Sequence, residues 1–223
     1  MIIRMKSLAG DFQGATSAEF ALVLPLLVIF LLGIIDLGRL LYTWNEAEKA
    51  TQMGVRYAVV TGLVAEALKT HSFTVDGLTP GSSVPTTAFK HGECTIGRCQ
   101  CVTGSLCSSI GNTLGYNDAN FKAIVDEMAR FLPILKNGSG QTDYSKVQID
   151  YDSADVSGSG SGSGYNLGYV SDPNGLNVAP LVTVKLKNLT FSPFLFKLFG
   201  TSITLPDFKT TLTMEDAVGS QSN

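Results

Sequence analysis

Histidine is nearly missing from this chain: two in 223 residues, His71 and His91. That leaves little material for His-based acid–base or nucleophilic work. There is no glycine-rich phosphate cradle, no G-x-S-x-G and no H-E-x-x-H, so the common phosphate, serine-hydrolase and zinc-protease signatures are absent. No catalytic set is visible, and the expectation is a protein that is not an enzyme and holds no cofactor or metal. Charge is sparse too. Charged residues make up 16%, against about 25% in ordinary globular domains. The net charge is −3, with no basic run or basic face, which speaks against nucleic acid as a partner.

Charge is missing above all from one stretch. From Phe20 to Ile35 there is no charged side chain, and Leu37, Gly38, Leu40 and Leu41 extend its apolar character past Asp36 and Arg39. As a helix, Phe20–Leu41 rises about 33 Å, enough for a hydrocarbon core of about 30 Å with some tilt. A cleavable secretory signal is the rival reading. Its apolar core is shorter and ends at a small-residue site, which this run lacks. A membrane anchor is therefore expected. Arg4 and Lys6 precede it, opposed by Asp11, and the mixed set Asp36, Arg39, Glu46, Glu48 and Lys49 follows or interrupts its end. The bias favours a cytoplasmic N-terminus, with Tyr42 and Trp44 at an outer aromatic belt.

Glu19 stands at the rim of the apolar run, where a carboxylate is costly unless paired. Gly14 lies five residues earlier, behind a short basic leader. This Gly14-x4-Glu19-Phe20 pattern resembles the processing site of type IV pilin-like proteins of the Flp/Tad (tight adherence) system. Phe20-Ala-Leu-Val-Leu-Pro-Leu-Leu, Gly33-Ile-Ile-Asp-Leu-Gly-Arg-Leu-Leu-Tyr42 and Gly54-Val-Arg-Tyr-Ala58 resemble the TadE-like pseudopilin family. The resemblance covers roughly residues 12–61. It implies cleavage between Gly14 and Ala15 by a prepilin peptidase at the cytoplasmic face. It also implies an assembly role for Glu19 and Phe20, with the Ala15 amine of the same or a neighbouring subunit as partner of Glu19. The implied partners are inner-membrane lipid, the peptidase, other pilins or pseudopilins and the Tad assembly machinery. The implied place is the bacterial cytoplasmic membrane, single-pass, with incorporation into a pilus as an option.

The expected organisation is a leader over residues 1–14, a transmembrane and extended helix over 15–61, and an extracytoplasmic α+β domain over 62–223. Thr16 and Ser17 are candidate caps for the long helix. Pro25 falls inside it and reads as a kink, or as a weak point for filament packing. Asp36 and Arg39 share a face and suit an ion pair at the lipid boundary. Ala47, Ala50, Gly54 and Ala58 form a small-residue stripe, fitted to core packing more than to an intersubunit face. Gly62 is the expected stop.

Beyond it, residues 63–70 are helix-prone, and Phe73–Val75 is a short strand candidate. Cys94, Cys99, Cys101 and Cys107 are the chain's only cysteines. In an oxidising compartment they read as two disulfides of open pairing, stapling a loop over 92–109. Zinc, with His71 or His91 in reserve, and free thiols are the alternatives. Asn117 or Asp118 caps an amphipathic helix whose apolar positions are Phe121, Ile124, Val125, Met128, Phe131 and Leu132, ended by Pro133. Val147–Tyr151 alternates as a half-buried strand and Leu181–Lys187 as the strongest one. Asp150, Asp152 and Asp155 suit a solvated acidic strand end more than a calcium site. The Val156–Gly164 Gly/Ser tract reads as an exposed loop. Phe191–Phe199 carries four phenylalanines and suits either burial on the sheet, which is favoured, or a short helix lying on the bilayer. Final strands are expected over Ile203–Leu205 and Phe208–Met214, with a loose end at Gly219–Asn223.

The fold class is thus α+β, a long N-terminal transmembrane helix carrying a small, mainly antiparallel sheet and one amphipathic helix, in a pilin-like layout. The expected function is a minor pilin or pseudopilin of a Tad-type assembly or secretion system. The alternative is an unprocessed single-pass protein whose outer domain binds a ligand or surface.

Overall fold

The computed structural model describes residues 12–72, 74, 75, 77, 79, 80, 82, 84, 85, 87–155, 166, 167, 180–194 and 202–214, with side chains in the first helix from Ser17 onward. Residues 1–11 of the expected leader, the Gly/Ser tract and the chain end lie outside that set, as do Phe73 and residues 195–201. The elements in chain order are α1 (Phe12–Val60), α2 (Glu66–Thr70), β1 (His91–Thr95), β2 (Arg98–Thr103), α3 (Ser105–Ser109), α4 (Asp118–Phe131), β3 (Val147–Asp152), β4 (Ala154–Asp155), β5 (Asn166–Leu167), β6 (Leu181–Leu186), β7 (Thr190–Phe191), β8 (Ile203–Thr204) and β9 (Phe208–Thr213). This is the expected α+β class: a long apolar helix followed by a mainly antiparallel sheet and further helices. Two compact units divide the chain, one of Met1–Tyr42 with Thr190–Ile203, the other of Thr43–Leu189 with Thr204–Asn223.

The first unit is built on the N-terminal part of α1. That helix begins at Phe12, ahead of the expected caps at Thr16 and Ser17, and runs without a break through Pro25. In lipid a proline in a helix is tolerated. Nearly every side chain from Ser17 to Leu31 is exposed, including Phe20, Leu22, Leu26 and Phe30. Among the described residues, this part gains a neighbour only near its end, the segment that starts at β7. Phe191 is buried there. Of the phenylalanine run, Phe191 and Phe194 meet Arg39 of the apolar helix; the rest of the run, and with it the burial expected on the sheet, lies outside the described residues.

The second unit holds a five-stranded sheet in the order β2-β1-β3-β6-β9, every neighbouring pair antiparallel. The central strand β3 is buried on both faces, unlike the half-buried strand expected from its alternation. Alternation here separates an apolar inner face (Val147, Ile149, Tyr151) from a polar face (Gln148, Asp150) that its neighbours also cover. The inner face continues across the register as Val182, Val184 and Leu186 of β6.

The helical layer comes from the C-terminal part of α1 and from α4. Ala47, Ala50, Gly54 and Ala58 are buried within this unit, so the small-residue stripe is a core-packing feature. A Cβ on Gly54 would stand 2.5 Å from Met128 Cγ. Glycine is what lets α4 approach this closely. Asn117 caps α4 by accepting from the Asn120 N–H at 3.0 Å, and Pro133 opens the 3-10 turn that follows. Thr51 of α1 shares a hydroxyl hydrogen bond of 2.9 Å with Thr210 of β9, and Trp44 meets the Phe208 ring edge-on. Tyr151 reaches from β3 to the chain just after α1, where its phenol oxygen accepts the Val64 N–H at 3.0 Å.

The cysteine segment is not an irregular loop. β1 and β2 form a hairpin across Ile96-Gly97, with Gly97 at φ +79°, and α3 follows. Cys94 and Cys99 face each other in the register and are bonded, as are Cys101 and Cys107. The two-disulfide reading is supported, and the pairing the sequence left open is Cys94–Cys99 and Cys101–Cys107. The strand candidate at Phe73–Val75 is also corrected: Thr74 and Val75 lie in turns.

Candidate functional site

Gly14 and Ala15 lie on α1, and Glu19 and Phe20 follow one turn later. Glu19 is exposed, with no ion-pair or hydrogen-bond partner among the described residues. Around it the helix surface is apolar: Phe20 is 66% exposed and Leu22 80%. In water such a surface is unfavourable by about 25 cal/mol per Å². In a bilayer it is the expected solvent-facing surface, and Glu19 becomes its one costly group. The helix is long and apolar enough to cross a membrane, and almost none of its most apolar 18-residue stretch is buried in its own protein.

Towards the end of the apolar stretch the second acid is handled differently. Asp36 is only 7% exposed. Its Oδ1 accepts from Arg39 Nη1 at 3.2 Å and from the Phe194 backbone N–H at 2.8 Å. The Arg39 guanidinium lies 4.1 Å from the Phe194 ring centroid and 5.4 Å from that of Phe191. The ion pair read from the helix spacing is present. The loop's share in it was not legible, because Phe194 is 158 positions away in sequence.

The second unit carries its own polar cluster on the outer face of the sheet. His91, Glu93 and Asp150 each bring one potential ligand atom within 4.8 Å of the others. Asp150 is almost fully buried, which overturns the solvated strand end expected for it. Gln148 Nε2 donates to its Oδ1 at 2.6 Å, and Lys185 forms an ion pair with its Oδ2. The same Gln148 amide donates to Glu93 Oε2 at 3.1 Å, while Lys187 Nζ donates to Gln148 Oε1 at 2.6 Å. His91 Nδ1 lies beside Asp152 Oδ1 at 2.5 Å. The lysines thus already supply the positive charge a bound cation would bring. A buried charge paired and hydrogen-bonded this way is tolerated, whereas an isolated one is not.

One titration is strongly displaced here. Burial pushes the Tyr151 phenol well above its ordinary range, outweighing the opposing effect of the Val64 N–H. It stays protonated and acts as a strut between β3 and the chain after α1. The disulfides Cys94–Cys99 and Cys101–Cys107 hold the hairpin and α3 at one edge of the sheet.

Comparison with curated proteins and with solved structures yields no match. Residues 14–56, from the Gly14 motif through Arg56, match the family model described as TadE-like protein.

Proposed function

We propose that this chain is a minor pilin or pseudopilin of a Tad-type pilus assembly or secretion system, with a structural rather than a catalytic task. The observation that carries the reading is Glu19: a carboxylate without a described partner on a bare apolar helix, five residues after Gly14 in a TadE-like segment. In a low-dielectric medium that group gains strongly from a cation. A prepilin peptidase cutting after Gly14 creates one, the Ala15 amine. The amine of a neighbouring subunit then pairs with Glu19 and sets helix register, while Phe20 and the apolar surface supply packing. The anchor sits in the bacterial inner membrane with its N-terminus in the cytoplasm and the disulfide-bearing unit outside. That placement agrees with two disulfides in the second unit, which an oxidising compartment maintains.

The reading is tested by co-expressing the full chain with a prepilin peptidase and following its mass. Loss of residues 1–14, abolished by substituting Gly14, is the expected result. An unshifted mass, or a Gly14-substituted chain processed equally well, refutes maturation at this site. Glu19→Ala should leave processing products present but reduce pilus number and adherence; normal pili would remove the pairing role.

A further inference from the structure

We propose that Thr190–Phe194 is a second lipid contact: latched to α1 by Asp36, it inserts Phe194 into the interface of a phospholipid bilayer beside the anchor. The inference rests on the membrane-spanning reading of α1 and goes beyond it, since a single-pass anchor needs no such partner.

Depth is the first argument. The segment meets α1 at an apolar groove lined by Gly33, Asp36, Leu37 and Leu40 on the helix and by Phe191 and Pro193 opposite. Those helix positions fall in the last third or so of the span Phe20–Leu41, within about 12 Å of its end. A chain segment lying there is at the level where acyl chains give way to headgroups.

The second argument is polar satisfaction. At that depth an unpaired carboxylate is costly, and so is a backbone N–H at the start of a helix left without a partner. Each deficit removes the other, because the Phe194 N–H donates to Asp36 Oδ1. Arg39 neutralises the same oxygen and covers both phenylalanine rings. Arg39 itself is 43% exposed along its side chain, as a guanidinium reaching towards headgroups would be. A segment resting in water would need none of this.

The third argument is the surface left over. Phe194 is 53% exposed and Ile203 38%, and on the helix Leu37 and Leu41 are each 56% exposed. Their surface continues the bare surface of the anchor. From Thr190 to Ile203 the sequence has no acid and one lysine, a composition suited to an interface with phospholipid headgroups.

The test uses the full chain in phosphatidylcholine vesicles, with Trp44, its single tryptophan, replaced by Phe and a tryptophan introduced as Phe194→Trp. Lipid brominated high on the acyl chain, near the headgroup, should quench this residue strongly and blue-shift its emission; lipid brominated near the chain ends should quench it weakly. In an added Asp36→Asn change the quenching should be lost as the latch opens. A parallel Phe30→Trp chain reports the anchor, and the deep bromines should quench it in both backgrounds. Quenching at position 30 with none at 194 overturns the inference while leaving the anchor intact. Absence at both positions removes the membrane-spanning reading, and this inference with it. Blue-shifted but unquenched emission from the Phe194→Trp chain would mean a second copy of the chain covers the segment, which also overturns it. Quenching at 194 that survives Asp36→Asn removes the latch.

Discussion

The two parts of α1 obey opposite packing rules. Before Tyr42 the helix displays its largest apolar side chains, Phe20, Leu22, Leu26 and Phe30, and buries Asp36; after Thr43 it buries its smallest, Ala47, Ala50, Gly54 and Ala58. Helical hydrogen bonding is common to both, so secondary structure does not explain the difference. The membrane-spanning reading of the first part does: there bulk is what contacts the hydrocarbon, and a charge has to be hidden. In the second, the neighbours are α4 and a sheet, and small side chains permit close approach. Hydrophobicity alone would rank the first part as core, which it is not.

This contrast can be attacked from its strongest element down. Breaking the two disulfides should destabilise the second unit by about 2–4 kcal/mol each, read as a fall in its unfolding midpoint on adding reductant. Membrane retention under alkaline carbonate extraction should not change, because the first unit contains no cysteine. Loss of retention on reduction would show the two parts to be less independent than their packing suggests. A bulky residue sharpens the comparison within one helix. Gly54→Leu must displace Met128 and should cost about 3 kcal/mol, the upper end of ordinary overpacking. A Cβ on Gly38 would meet nothing within 4 Å, so Gly38→Leu should leave the unfolding midpoint of the second unit unchanged.

The smallest expected effect lies at Tyr151. Tyr151→Phe strands the buried Val64 N–H and should cost about 1–2 kcal/mol near neutral pH. Its pH dependence carries a sign. The folded-state phenol is raised above its unfolded value, so its contribution is intact below about pH 10 and declines as pH rises beyond that, where the unfolded chain releases the proton first. Denaturant melts of wild type and variant should therefore converge above about pH 10. A gap that stays constant there would deny the phenol its role as a buried strut.

Much of this was readable beforehand. The run Phe20–Leu41 and the spacing of Phe121, Ile124, Val125 and Met128 each place a single-face or all-round pattern on a helix, and both helices are present. A cap at Asn117 or Asp118, which the structure assigns to Asn117, and Pro133 as terminator followed from local chemistry. The β1–β2 hairpin was missed because its inward positions are Gly92, Cys94, Cys99 and Cys101, which look irregular until cysteine is counted as a small buried apolar residue; the alternating burial is then plain. Burial of Asp150 was missed since nothing local to β3 shows that Lys185, from β6, will sit beside it. The docking of Thr190–Phe194 is made by long-range contacts, the hydrogen bond to Asp36 and the Arg39 guanidinium over two rings, and local periodicity carries no record of them. The Gly14 motif lies in sequence alone, so the comparison with the TadE-like family model weighs more there than any packing detail.

N-terminal sequencing of the protein isolated from native membranes tests the central claim most directly. The account predicts a mature chain whose first residue is Ala15, with Glu19 fifth. A chain that begins at Met1 would contradict it.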